Sequence, residues 1–187
     1  MRVLLVQAHP RARSLTGAVA DALAGGLAEA GHAVERADLM AEGFQPVLAA
    51  AEEPDWTDPS KPLPPDVRAE IARIERNEAT VLVFPVWWWT MPAVMKGWID
   101  RVWAHGWAYG GARYPHDRVW ALGLVGNPAA EMHAGGYAEA MRVMIEDGTL
   151  RYCGVPEPRL ILLADTLTGP DRAAAAVAAS RDLGRGF

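Results

Sequence analysis

Arg2–Gln7 and Thr80–Phe84 are apolar runs without the period-two alternation of a strand that keeps one face in water. Such a run needs cover on both faces, which places it inside a sheet flanked by helices. Three further segments read as strands: His32–Leu39, Arg118–Val125 and Arg159–Leu163. Each of the five precedes a helical pattern. Leu15, Val19, Leu23 and Leu27 recur at fourfold spacing, with Ser14 placed to cap the helix and Gly31 to stop it. The other helices are expected at Asp66–Arg76, Pro92–His105, Ala138–Glu146 and Asp171–Asp182. In the second of these, Val94, Met95, Trp98, Val102 and Trp103 form the buried side.

Five strands alternating with helices give an α/β fold with right-handed crossovers, a doubly wound five-stranded parallel sheet in a three-layer sandwich. A flavodoxin-like strand order and a truncated Rossmann order both fit. The chain has 187 residues, and residues 1–187 are expected to form one domain. Phe44–Pro65, rich in Pro, Asp and Glu, is a long excursion that reads equally as a functional loop or a surface insertion.

Composition narrows the function. Hydrophobic residues make 51% and charged residues 22%, an ordinary globular profile that excludes a disordered or collagen-like chain. The net charge of −5 argues against a nucleic-acid partner. No apolar run approaches the roughly 18 residues of a membrane span, and no signal-peptide pattern opens the chain. The single cysteine, Cys153, has no internal partner and reads as a buried thiol. A cytoplasmic setting is expected.

In an open parallel sheet, ligands bind beyond the carboxyl ends of the strands. In flavodoxin-like order the relevant loops are Ala8–Thr16, Pro85–Met91 and Gly126–Tyr137. The first lacks G-x-G-x-x-G and a Walker lysine. It offers Ser14, Thr16, a helix N-terminus and the positive charge of Arg11 and Arg13, a set that can hold a phosphate. Alternatively Ser14 only caps the helix and the arginines are solvated. The second loop carries Trp87-Trp88-Trp89, which cannot all enter one core. They suit a platform for a planar ligand, or packing against a helix or partner subunit. In the third, His133 and Tyr137 stand four apart, and either can serve as a proton donor or sit on the surface. G-x-S-x-G, H-E-x-x-H and Cys/His metal clusters are absent from the sequence, so no metal is expected.

Three segments carry a family resemblance. A-H-P-x-x-x-S-L-T at Ala8–Thr16, F-P-V-W-W-W-T-M-P-A-V-M-K-G-W-I-D-R-V at Phe84–Val102 and G-T-L-x-Y-C-G at Gly148–Gly154 resemble the flavodoxin-like NAD(P)H:quinone oxidoreductases of the DT-diaphorase type. His105–Gly110 is similar to the bacterial branch. The resemblance implies a bound flavin, FAD with FMN as the alternative, NAD(P)H as co-substrate and a quinone-like acceptor. It implies that His9, Ser14, Leu15 and Thr16 hold the flavin phosphates, and that Pro85, Val86, Trp87, Trp88 and Trp89 line the isoalloxazine ring. Gly126 and Asn127 would approach its pyrimidine end. It implies a homodimer in which Tyr109 reaches the partner's site. The family's fourth loop often reads T-T-G-G followed by a tyrosine and then a histidine. Here Gly126-Asn127-Pro128-Ala129 replaces T-T-G-G, and His133 precedes Tyr137.

The expected activity is ping-pong hydride transfer from NAD(P)H to a quinone, with His133 or Tyr137 stabilising charge at the flavin. Three alternatives stand beside it: a flavin-binding regulatory subunit of a potassium efflux system, a one-electron carrier of the flavodoxin kind, and a phosphate-binding module without flavin.

Overall fold

A computed structural model describes residues 1–58 and 60–187; Pro59, within the expected excursion, lies outside the described residues. The five strands are β1 (Arg2–Gln7), β2 (Ala33–Asp38), β3 (Ala79–Pro85), β4 (Arg118–Leu124) and β5 (Glu157–Leu163). They pair in parallel in the order β2-β1-β3-β4-β5, which selects the flavodoxin-like order over the Rossmann one. Leu4 aligns with Thr80 across β1 and β3, and Val83 with Leu122 across β3 and β4. Burial follows from position. β3 is buried throughout and β4 almost so, whereas the edge strands β2 and β5 alternate or stay half-buried. This is why β1 and β3 read as unbroken apolar runs and β2 did not.

Two cores flank the sheet. On one face α1 (Leu15–Glu29) and α6 (Pro170–Arg185) lay Val19, Leu23 and Leu27 over Val3, Leu5, Val81 and Leu122. On the other, α2 (Pro65–Glu75) and α3 (Ala93–Val102) set Ile74, Met95, Trp98 and Val102 against Leu4, Val6, Leu82 and Phe84. Ser14 caps α1 as its pattern foretold, its Oγ accepting from Gly17 N–H at 3.1 Å, and Gly31 follows the helix with φ 82°. All five residues expected on the buried side of α3 are buried.

Three expectations are corrected. Pro92 stands just before α3, which ends at Val102; beyond it Gly106 N–H meets Tyr109 O at 2.9 Å and closes a tight turn. The segment Gly126–Tyr137, read as a loop, contains α4 (Ala129–Ala134), and the next helix starts at Tyr137. Gly136, with φ 71°, ends the first and lets the chain restart as α5 (Tyr137–Met141). What read as one helix over Ala138–Glu146 passes from α5 into a ten-residue π-helix, Arg142–Arg151. A π-helix is rare and its apolar spacing resembles that of an α-helix over a short window.

The excursion is tied down. Its 3₁₀ turn, Ala50–Glu52, brings Glu52 against Arg101 of α3 at 2.6 Å, with both side chains under 10% exposed. Arg101 also donates to Gln45 O at 2.6 Å and to Asp66 at 2.8 Å.

Candidate active site

The loops after β1, β3 and β5 enclose a cleft of about 410 Å³ at the carboxyl edge of the sheet. That volume falls in the range of cofactor sites. Its walls divide by chemistry. Pro85, Val86, Trp87, Leu124 and Leu167 form an apolar wall. His9, Arg11, Leu15 and Thr16, before and at the start of α1, complete the lining. The first amides of a helix have no carbonyl one turn back, so they favour an anion. Arg11 and Leu15 also border an adjoining recess with Arg13, Ser14, Gly17 and Arg36. The lining therefore combines positive charge with ring-compatible apolar surface.

Local structure explains the placement of each side chain. His9 Nδ1 accepts from Arg11 N–H at 3.1 Å, folding the first loop back. The His9 ring stands 6.2 Å from the Trp87 ring. In the second loop, Trp87 and Thr90 exchange both backbone hydrogen bonds at 3.1 Å, closing a two-residue turn on Trp88 and Trp89. These two residues have φ of 51° and 60°. Positive φ at both central positions is the type I′ pattern, which favours Asn-Gly. Two bulky side chains there cost roughly 1–2 kcal/mol each. Their directions differ sharply. Trp88 is 95% exposed, while Trp89 lies flat against Tyr137, with ring centroids 3.9 Å apart and planes 1° apart.

The expected site residues thus separate. His9, Leu15, Thr16, Pro85, Val86 and Trp87 share the cleft, and Ser14 borders the recess beside it. Gly126 lies under Leu167, where a Cβ would fall 2.6 Å from Leu167 Cδ1. Asn127 is used structurally: its carbonyl accepts from Asp165 N–H at 2.9 Å and its amide donates to Glu131 at 3.3 Å. His133 points into a second cleft, between α4, α5 and β5, with Arg142, Leu160 and Leu162. Tyr137 instead meets the tryptophan turn through Trp89. The break at Gly135–Gly136 is what parts the two.

Tyr109 stands away from this cleft, in an aromatic cluster with Trp56, His105 and Tyr152. Burial, then the nearby Tyr152 and Cys153, pushes its phenol up. Cys153 is buried as expected, and burial pushes its thiol up to about 11, which leaves it a poor nucleophile at neutral pH.

Thr166 and Leu167, from the loop after β5, were missed in the sequence. Thr166 is buried and its Oγ1 donates to Val125 O at 2.8 Å, holding that loop over the cleft. The switch-point rule directs attention to the first, third and fourth loops, so only the turn-forming Asp165–Pro170 segment carried a signal. Among the described residues, no cluster of His, Cys, Asp or Glu is arranged to hold a metal ion. No helix is long and apolar enough to cross a membrane among the described residues.

Comparison with known proteins converges on one family. A family model described as a flavodoxin-like fold matches residues 1–185. The chain is 34% identical over 167 residues to YcaK of Escherichia coli, an uncharacterised NAD(P)H oxidoreductase; the match covers 89% of this chain and 85% of the relative. It is 28% identical over 186 residues to rat NAD(P)H dehydrogenase (quinone) 1, covering 86% of this chain and 68% of that protein. Among solved structures, an NAD(P)H:quinone oxidoreductase from Methanothermobacter marburgensis matches with a TM-score of 0.94 at 33% identity, over 100% of this chain and 96% of that one.

Proposed function

The chain belongs to the flavodoxin-like family, and from that premise we propose that it is a flavin-dependent NAD(P)H:quinone oxidoreductase. The observation that carries the reading is the mixed lining of the cleft. It joins a wall of Pro85, Val86 and Trp87 to the positively charged start of α1. A flavin combines the same two chemistries, a planar ring and a phosphate, so the residues fit the group. The adjoining recess beyond Arg11 supports FAD, with FMN as the alternative.

A bound flavin would supply two-electron hydride chemistry between NAD(P)H and a quinone-like acceptor, in a ping-pong order. The protein's share is placement and electrostatics. Ser14, Thr16 and the first amides of α1 hold phosphate, assisted by His9 and Arg11. Pro85, Val86 and Trp87 hold the ring's flank and exclude water from it. Gly126 makes room for the Leu167 side chain that lines the cleft. We assign Tyr137 Oη the hydrogen bond to developing negative charge, because Tyr137 stacks on the turn that starts at Trp87 of the cleft wall, whereas His133 lines a separate cleft. Tyr109 serves the site of a second copy in a homodimer, and the protein acts in the cytoplasm.

The test is the visible spectrum of the purified protein, repeated anaerobically after NADH or NADPH. Flavin bands that bleach and then recover on adding a quinone are the expected result. Bands that persist after both nucleotides would point to a carrier or regulatory protein. Failure to take up either FAD or FMN would overturn the assignment. A second measurement separates the two proton-donor candidates: His133→Ala should leave kcat within about twofold, whereas Tyr137→Phe should lower it about tenfold, the low end of what one proton-transfer group typically supplies.

A further inference from the structure

The turn at Trp87–Thr90 is costly, and something must hold it. Trp88 contributes little to that, since it is 95% exposed. Trp89 is different. Its ring lies parallel to Tyr137 at 3.9 Å, at 1° between planes. The phenol also lies close to Gly135, where any side chain would collide with Tyr137 Cε2 and Cδ2. Gly136, at φ 71°, aims the start of α5 toward the turn. Tyr137, 39% exposed, is therefore restricted by the indole stacked on it and by the bare backbone of Gly135 beside it. Neither restraint belongs to the cleft wall, which uses Trp87 and not Trp89.

We propose that Trp89 is a positioning residue that fixes Tyr137, and that the left-handed turn exists to bring its indole back onto that ring. This rests on the role given to Tyr137 above and goes beyond it, because it moves Trp89 from the flavin platform to the support of a proton donor. A phenol on the surface has two torsions to search, and a flat aromatic seat removes that freedom. Oη is then held ready for the reacting end of the site in each turnover.

The test is a double-mutant cycle on the flavin-loaded enzyme, with kcat and flavin Kd measured for each variant. Tyr137→Phe keeps the ring and removes Oη. Trp89→Leu removes the seat and leaves Oη. Each should lower kcat about tenfold. The double variant should also be about tenfold slower rather than a hundredfold, because both changes remove one function. Trp89→Phe, which can still stack, should restore most of the rate, and flavin Kd should stay within about twofold throughout. Multiplicative losses in the double variant would overturn the proposal. So would flavin binding weakened tenfold by Trp89→Leu, which would return Trp89 to the platform, or an unaffected Tyr137→Phe.

Failure of the functional reading shows separately, as wild-type protein that takes up neither FAD nor FMN. The stack is still decided in flavin-free protein by near-ultraviolet circular dichroism. Loss of the same coupled band in Trp89→Leu and Tyr137→Leu supports it, and two unrelated losses overturn it.

Discussion

His116 shows how one residue can tie pH to stability in this fold. Its Nε2 faces two carbonyls, Ile74 O at 3.0 Å and Asn77 O at 2.9 Å, so that nitrogen carries the proton. Nδ1 is then an acceptor, and the Thr80 hydroxyl donates to it at 2.8 Å. Thr80 Oγ1 in turn accepts from the fully buried Tyr114 hydroxyl at 2.8 Å. Every member is satisfied only with a neutral imidazole. Burial holds His116 below its ordinary value, against the opposing pull of the two carbonyls and then of Asp117 and Glu78. A histidine depressed in the folded state gives its full stability above the unfolded value of about 6.5, and loses it as pH falls from there toward the folded value. Urea midpoints at pH 7.5 and pH 5.5 should therefore differ, with the lower pH less stable. Thr80→Val should cost roughly 1–3 kcal/mol, since Tyr114 and His116 would each lose a buried partner. An unchanged difference between the two pH values in His116→Gln would remove this residue as the cause. None of the network was legible in the sequence, because its members lie 34 and 36 residues apart and join only once β3 is in register.

At the scale of elements, legibility depended on whether burial imposed a pattern. The interior strands and α1 carried one, and their positions were readable to within a residue or two. The split into α4 and α5 was not, because its cause is Gly136 in a left-handed conformation and a glycine pair alone does not say which way the chain turns. The same holds at the tryptophan turn. Its sequence contains neither Asn nor Gly, so the turn chemistry gave no sign of a type I′ geometry. Its strain yields a prediction. Trp88 is 95% exposed with φ 51°, and asparagine tolerates that conformation far better. Trp88→Asn should raise stability by about 1 kcal/mol, or about 2–4 °C in Tm for a chain of this length. The opposite sign would mean that Trp88 makes contacts in solution, as it would in a homodimer, and a sedimentation measurement of wild type against the variant separates the two. Between helices the constraint is tighter. At Gly26 of α1 a Cβ would collide with Arg181 backbone of α6, and Gly184 meets α1 the same way. Gly26→Ala should destabilise by roughly 1–3 kcal/mol, read from urea unfolding, while leaving the catalytic loops in place.

The candidate site exists only in the whole molecule. Its cleft takes His9 from the loop after β1, Val86 from the loop after β3 and Leu167 from the loop after β5, over a span of the chain that only the sheet order collects. Half of it could be read ahead, because strand ends locate ligand loops by rule, and half could not, because side-chain direction within those loops is set by turns and helix breaks. A ligand held this way binds the folded state alone, so it must stabilise that state by mass action. At a flavin concentration about 100-fold above Kd the gain is about 2.7 kcal/mol. For a domain of this size that is about 5–11 °C in Tm. Two variants show whether the gain arises at the cleft. Arg11→Ala, at the phosphate end, should reduce the shift. Arg101 lies outside the cleft lining and pairs with the excursion. Arg101→Ala would leave the Glu52 carboxylate, held low chiefly by its hydrogen bonds to Arg101, buried without its partner. That should cost roughly 3–5 kcal/mol, with or without flavin, and leave the shift itself unchanged. Equal shifts from FAD and FMN at matched multiples of Kd, with equal Kd values, would show that the recess beyond Arg11 adds no recognition. A tighter Kd for FAD, lost in Arg11→Ala, would place the adenosine-diphosphate end there.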